Sequence, residues 1–185
     1  MEWLVVIGLG ALAVVFVVLY NGVVSMRQRT RNAWSDVEVY LKRRAELIPN
    51  LVAAVKGDAA HESTLYEAIA TARSAALGSH SVIERADAEG QLVSQVGRAL
   101  ILAERYPELK ANENFLNLQH ELSETETKIA SARQYYNACV RDLNIKIEAF
   151  PSSLAASLAG VKPAEFFEVV EPNEREVPTV STKTD

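Results

Sequence analysis

Residues 115–143 read FLNLQHELSETETKIASARQYYNACVRDL. Phe115, Leu122, Ile129, Tyr136 and Leu143 recur every seven residues. Leu118, Thr125, Ala132 and Cys139 fill the alternate positions of the same stripe. Seven residues make close to two turns of α-helix, so both series fall on one face. A helix with such a face must bury it against other helices. The second series is mostly small and permits close approach. The pattern predicts a long helix over about 112–149.

The same period runs outward through the rest of the chain. Val23, Thr30 and Val37 form one seam of a first segment, and Trp34, Leu41 and Ile48 the other. A second segment, 50–77, sets Val52, Val55, Ala59, Tyr66, Ile69 and Ala76 on one face. LGSHS at 77–81 interrupts it: Gly78 suits a helix end and the serines suit a cap. A third segment, about 84–106, aligns Leu92, Val96, Ala99, Ala103 and Tyr106, and stops before Pro107. Pro49 separates the first two segments and is expected to mark a full reversal. A continuous helix from 22 to 77 would exceed about 80 Å and overhang the fourth segment. Alternation of period two is nearly absent, so no sheet is expected.

The N-terminal run WLVVIGLGALAVVFVVLY (3–20) belongs to a different solvent. No charge stands between Glu2 and Arg27. At about 1.5 Å per residue this stretch reaches about 36 Å, and a bilayer core needs about 30 Å. Trp3 and Tyr20 sit where aromatic belts form. No cation precedes the run, and YNGVVSMRQRTR is a poor cleavage site, so an uncleaved anchor is expected over a signal peptide. Arg27, Arg29 and Arg31 follow the span. The positive-inside rule then sets the N-terminus outside, the bulk of the chain in the cytoplasm and these three arginines at the membrane surface.

The expected fold class is therefore all-α: a single N-terminal transmembrane helix followed by an antiparallel four-helix bundle. Residues 1–21 are the anchor and 22–149 the bundle. Residues 150–170 hold a short helix in SSLAASLAG and dock on the bundle through Phe166 and Phe167. Residues 171–185 are polar, acidic and proline-containing, and are expected to be disordered.

The chain carries few residues in patterns that do chemistry. Net charge is −5, which excludes a general affinity for nucleic acid. The one cysteine, Cys139, excludes a disulfide framework and a cysteine-rich zinc site. It falls on an apolar seam, as a buried structural thiol does. His61, His80 and His120 lack the Glu three residues before them that a di-iron bundle uses. His61-Glu62 opens a zinc motif that Leu65 fails to close. No nucleophile elbow and no phosphate loop are present. Neither a catalytic residue, a metal nor a cofactor is expected.

Lys42, Arg43 and Arg44 point in three directions about 100° apart and do not form one patch. Arg44 falls on the seam between Val37 and Ile48. Glu62 interrupts the face of the second segment, and Glu126 and Arg133 flank the seam of the fourth. These four are candidates for an inward polar network that sets helix register. The competing expectation for Arg44 is that its head reaches solvent past an apolar stem.

Tyr20-Asn21, Ala33-Trp34, LKRRAELIPNLVAAVKG with AAHE, and the Ala72-Arg73 of TARSAA together resemble the LemA family of bacterial membrane-anchored proteins. So do ERYPELKANENFLNLQHEL, TETKIASARQYYN, the Phe-Pro of EAFPSSLAA and the Phe-Phe-Glu of AEFFE. The resemblance covers 20–168. Ala45-Glu46 stands where Ala-Asp is usual in the family, and Asp58 where an aromatic is common. The resemblance implies an N-out single span and a cytoplasmic four-helix bundle, and it supplies no reaction. Branches of the family look associated with magnetosome membranes, and members often neighbour membrane proteases. The expected role is a non-enzymatic scaffold or interaction module of the bacterial inner membrane. Its expected partners are the lipid bilayer, a second copy or another membrane protein, with no nucleic acid. The alternatives are an adaptor for a membrane protease and a metal-dependent enzyme using bundle carboxylates.

Overall fold

The structure is a computed structural model that describes residues 1–58 and 62–168. Its elements are α1 (Glu2–Asp58), α2 (Ser63–Gly78), α3 (Val82–Ala103), α4 (Pro107–Lys110), α5 (Glu113–Glu148) and α6 (Ser152–Leu158). The described residues contain no strand, and the fold is all-helical. The tail expected at 171–185, with Ala59, His61 and the end of the 150–170 segment, lies outside the described residues.

Two expectations are corrected at once. Pro49 is not a corner: it lies inside α1, which continues to Asp58. The segment expected over 50–77 is divided, its first part belonging to α1 and the rest to α2. Proline in a helix interior removes one ladder donor and crowds the preceding turn, at about 3 kcal/mol. Leu47, Ile48, Leu51 and Val55 around it are all buried, and burying each such side chain contributes about 1.5–3 kcal/mol. Packing on both sides of Pro49 outweighs its cost. The apolar N-terminal stretch and the packed part of α1 form one continuous helix through residue 21.

The chain forms two compact units. The first comprises Met1–Leu47 and Leu116–Phe167. Here α1 and α5 pack antiparallel along the seams seen in the sequence. Val23, Thr30, Val37 and Leu41 of α1 are buried, as are Leu122, Thr125, Ile129, Ala132, Tyr136, Cys139 and Leu143 of α5. N-terminal to Val23, the apolar side chains of α1 project outward, from Trp3 through Val18. That segment is long and apolar enough to cross a membrane.

The chain then turns back at α6. Ala159 ends this helix and Gly160 takes a positive φ of 60°. The Gly160 amide donates to Ser157 and the Val161 amide to Ala156, the paired bonds of a Schellman motif. A side chain at Gly160 would be strained there. Val161 packs with Ala156, Val23 and Leu143, and an extended strap, 161–168, follows.

The second unit contains Ile48–Phe115. Helices α2 and α3 pair as a hairpin. Ser81 caps α3 by accepting from the Glu84 amide, while the Glu84 carboxylate accepts from the Ser81 and His80 amides. This capping box satisfies donors that the helix start leaves open. Arg85 bonds the buried Glu89 at 2.9 Å and the Ala76 carbonyl at 2.7 Å, tying the start of α3 to the end of α2. Beyond α4, the Asn112 side chain accepts from the Asn114 and Phe115 amides and caps α5.

Candidate functional site

Two constructions in the first unit combine side-chain chemistry with position. One is a polar seam between α1 and α5. Arg44 is 3% exposed and donates to both oxygens of Glu126, at 2.7 and 3.0 Å. Glu126 is 45% exposed. The arginine stem fills a core position, and its head meets the carboxylate at the rim. Arg43 and Glu121 form a second pair at 2.8 Å, exposed on both sides and worth little by itself. Nearer the membrane-competent end, buried Thr30 donates to the Met26 and Cys139 carbonyls. It is a polar link between helices where an aliphatic side chain would make none.

The other construction holds the strap. Asn137 donates to the Phe167 carbonyl at 3.2 Å and accepts from the Phe167 amide at 2.9 Å. Asn144 treats Ala164 the same way, at 3.0 and 2.9 Å. Each carboxamide replaces one residue of a neighbouring strand. Tyr136 donates at 2.8 Å to the Glu165 carbonyl, which lies between these two strap residues. Its ring and the buried Phe167 ring both meet Trp34, with centroids 5.1 and 5.5 Å away. Burial pushes the Tyr136 phenol up to about 12, with a smaller contribution from the Glu165 charge. Phe167 thus docks on the helix pair, whereas Phe166 faces outward.

The sequence candidates divide accordingly. Arg44 and Glu126 are brought together. Arg133 is half-buried on α5 and outside that pair. Glu62 is exposed at the start of α2, where its backbone carbonyl accepts from Leu65 and Tyr66. Arg27 is half-buried; Arg29 and Arg31 are exposed on the turns that follow the apolar stretch. His80 is exposed, and His120 faces Glu124 at 3.9 Å on the surface. Cys139 is buried. Among the described residues, no group of three His, Cys, Asp or Glu stands close enough to hold a metal.

Sequence reasoning missed Asn137, Asn144, Arg85 and Glu89. The signal was present: two asparagines one heptad apart, and an Arg four residues before a Glu on a helix face. On a helix flank, neither spacing names its acceptor.

These features define a class: an all-helical protein whose exposed apolar N-terminal segment runs unbroken into a packed helix pair with a strapped flank. The family follows from comparison. The LemA family model matches residues 33–181, most of the chain, and the protein belongs to the LemA family. It is similar to magnetosome proteins MamQ 1 and MamQ 2 of Paramagnetospirillum magneticum, each 26% identical over 175 residues. Each alignment covers 80% of this chain and 64% of the relative, so the chain spans just under two thirds of their length. Magnetosome protein MamQ of Magnetospirillum gryphiswaldense is 25% identical over 190 residues, covering 88% of this chain and 69% of the relative.

Proposed function

We propose that the protein is a non-enzymatic scaffold or interaction module anchored in the bacterial inner membrane. Its N-terminus lies outside, and the remainder is a cytoplasmic antiparallel four-helix bundle. The observation that carries this reading is α1 itself. Its outward apolar segment and its packed segment are one helix, so the anchor transmits orientation to the domain without a flexible joint. Arg27, Arg29 and Arg31 meet anionic headgroups, at about 1 kcal/mol each near the surface. Confinement to a surface raises local concentration and favours self-association. Likeness to proteins named for the magnetosome supports a role in organising membrane.

Deleting residues 1–21 is expected to move the protein from the membrane to the soluble fraction. Crosslinking of the full chain in lipid is expected to give oligomers; a purely monomeric result overturns the self-association. Labelling of cysteines placed after α1 in intact cells would overturn the orientation. Elemental analysis of the purified protein decides the enzyme alternative, which stoichiometric metal would revive.

An adaptor role for a membrane protease is a second reading. A shallow groove of about 440 Å³ between α1 and α5, lined by Asp36, Tyr40, Thr127, Lys128, Ser131 and Tyr135, favours it. Co-purification of a protease that is lost on Tyr135→Ala supports this reading over the scaffold.

A further inference from the structure

We propose that the tip formed by Phe150 and α6 is a second membrane contact. Phe150, Leu154 and Leu158 seat in the headgroup–acyl boundary of the bilayer that α1 crosses. The proposal rests on the reading of α1 as a membrane anchor and extends it to a part of the chain far away in sequence.

The helix register places this tip. Arg44 pairs with Glu126, Thr30 with the Cys139 carbonyl, and the Lys146 ammonium lies over Gly22. Carried along at this antiparallel register, the end of α5 at Glu148 comes level with about Tyr20. A bilayer core of about 30 Å takes about 20 helical residues. Counted from Trp3, it ends near Val23. Helix α6 lies at this depth, because Ala156, Ala159 and Val161 pack with Val23, Met26 and Leu143.

The exposure pattern of the tip is the reverse of what water selects. Ser152, Ala155 and Ala156, the small residues, face inward and are buried. The large apolar residues face out: Phe150 is 82% exposed, Leu154 58% and Leu158 73%. Leu154 and Leu158 stand four residues apart on α6 and share one edge, and Phe150 is exposed just before the helix. Isolated surface leucines are ordinary, but an aligned apolar edge marks an interaction surface. The edge is continuous in depth with the outward Tyr20 and Val24 of α1. Lys146, Lys162 and Arg27 are sequence neighbours of Ile147, Val161 and Met26, members of the cluster that seats α6, and can extend to headgroup phosphates, as interfacial helices require. Lipid satisfies both the apolar edge and these cations, and the packing of α6 beside Val23 sets the edge where the apolar span ends.

The test uses the full chain in liposomes containing anionic lipid. Cys139→Ser removes the native thiol, and single cysteines at Val14, Tyr135, Leu154 and Leu158 carry nitroxide labels. Collisions with oxygen and with a water-soluble nickel chelate are then compared. Leu154 and Leu158 are expected to favour oxygen over the chelate, as Val14 does, while Tyr135 favours the chelate. Lipid-like behaviour at Val14 with aqueous behaviour at Leu154 and Leu158 overturns the second contact and leaves the anchor standing. Aqueous behaviour at Val14 overturns the anchor reading and this proposal with it. Shielding of Leu154 and Leu158 from both reagents, with spin–spin broadening between copies, overturns the lipid assignment in favour of a second copy.

Discussion

Asn137 and Asn144 stand seven residues apart on α5 and grip backbone residues three apart on the strap, Phe167 and Ala164. The two spacings agree physically. Seven helical residues advance about 10.5 Å, and three extended residues advance about 10 Å. A helix and an extended chain therefore come into register once per heptad, and a carboxamide at each coincidence supplies both a donor and an acceptor. Asn137→Ala or Asn144→Ala leaves backbone groups without these partners, at about 1–3 kcal/mol each. Thermal unfolding of the full chain should register each loss, and limited proteolysis should cut within 161–168 faster in the double variant. Unchanged cleavage would mean that the aromatic contact alone holds the strap.

The Arg44–Glu126 pair is unequal, and its variants should be too. Glu126→Gln keeps an acceptor at the rim and should cost about 1 kcal/mol or less. Arg44→Ala removes a buried stem as well as a charge, and should cost about 2–5 kcal/mol. Arg44→Met restores the volume and should recover much of that loss. Denaturant unfolding midpoints of the three variants, compared at equal slope, measure this order. Equal losses at both positions would contradict the rim geometry.

Tyr136 makes stability fall at high pH. Its phenol titrates near 10 in the unfolded chain and at about 12 in the fold. The folded state therefore holds its proton more tightly. The contribution is fully present below about pH 10 and is lost as pH rises towards 12, on the order of 2 kcal/mol in all. Tyr136→Phe should be less stable than the parent at neutral pH, having lost the bond to Glu165, and should show a flatter alkaline decline. Ultraviolet titration should show one tyrosinate appearing late in the parent and absent from the variant.

At the start of α3, Ser81→Ala should cost about 1 kcal/mol by removing the cap. Glu84 is held below the usual carboxylate range by the His80 and Ser81 amides. Its contribution is present above the unfolded carboxylate range and is lost as pH falls through the depressed folded value. The stability difference between parent and Glu84→Gln should therefore narrow in acid. Hydrogen exchange at the His80 and Ser81 amides reports the same change locally.

Much of this architecture was legible in the chain. Phe115, Leu122, Ile129, Tyr136 and Leu143 are buried, as are Thr125, Ala132 and Cys139 of the alternate series, while Leu118 is half-buried. Val23, Thr30, Val37, Leu41 and Ile48 are buried as their spacing requires. Periodicity succeeds because a helix converts sequence distance directly into direction. A reversal is expected at Pro49 because one helix from 22 to 77 would overhang the fourth segment, but α1 ends at Asp58, and the buried residues on both sides of Pro49 offset its cost. Arg44 drew attention because a cation on an apolar seam violates the pattern. Asn137 and Asn144 violate nothing, since asparagine on a helix flank is unremarkable until a strap arrives to meet it.

By itself, then, the sequence determined the helical class, the uncharged span, the inward faces and the family. Each of these depends on residues within a few turns of one another. The tertiary structure alone decided three things: that α1 passes through Pro49, that Glu126 is the carboxylate facing Arg44, and that the chain returns along α5 to place Phe150, Leu154 and Leu158 beside the end of the apolar span. All three depend on contacts between residues tens to more than a hundred positions apart. Local chain geometry carries no information about which distant group will arrive.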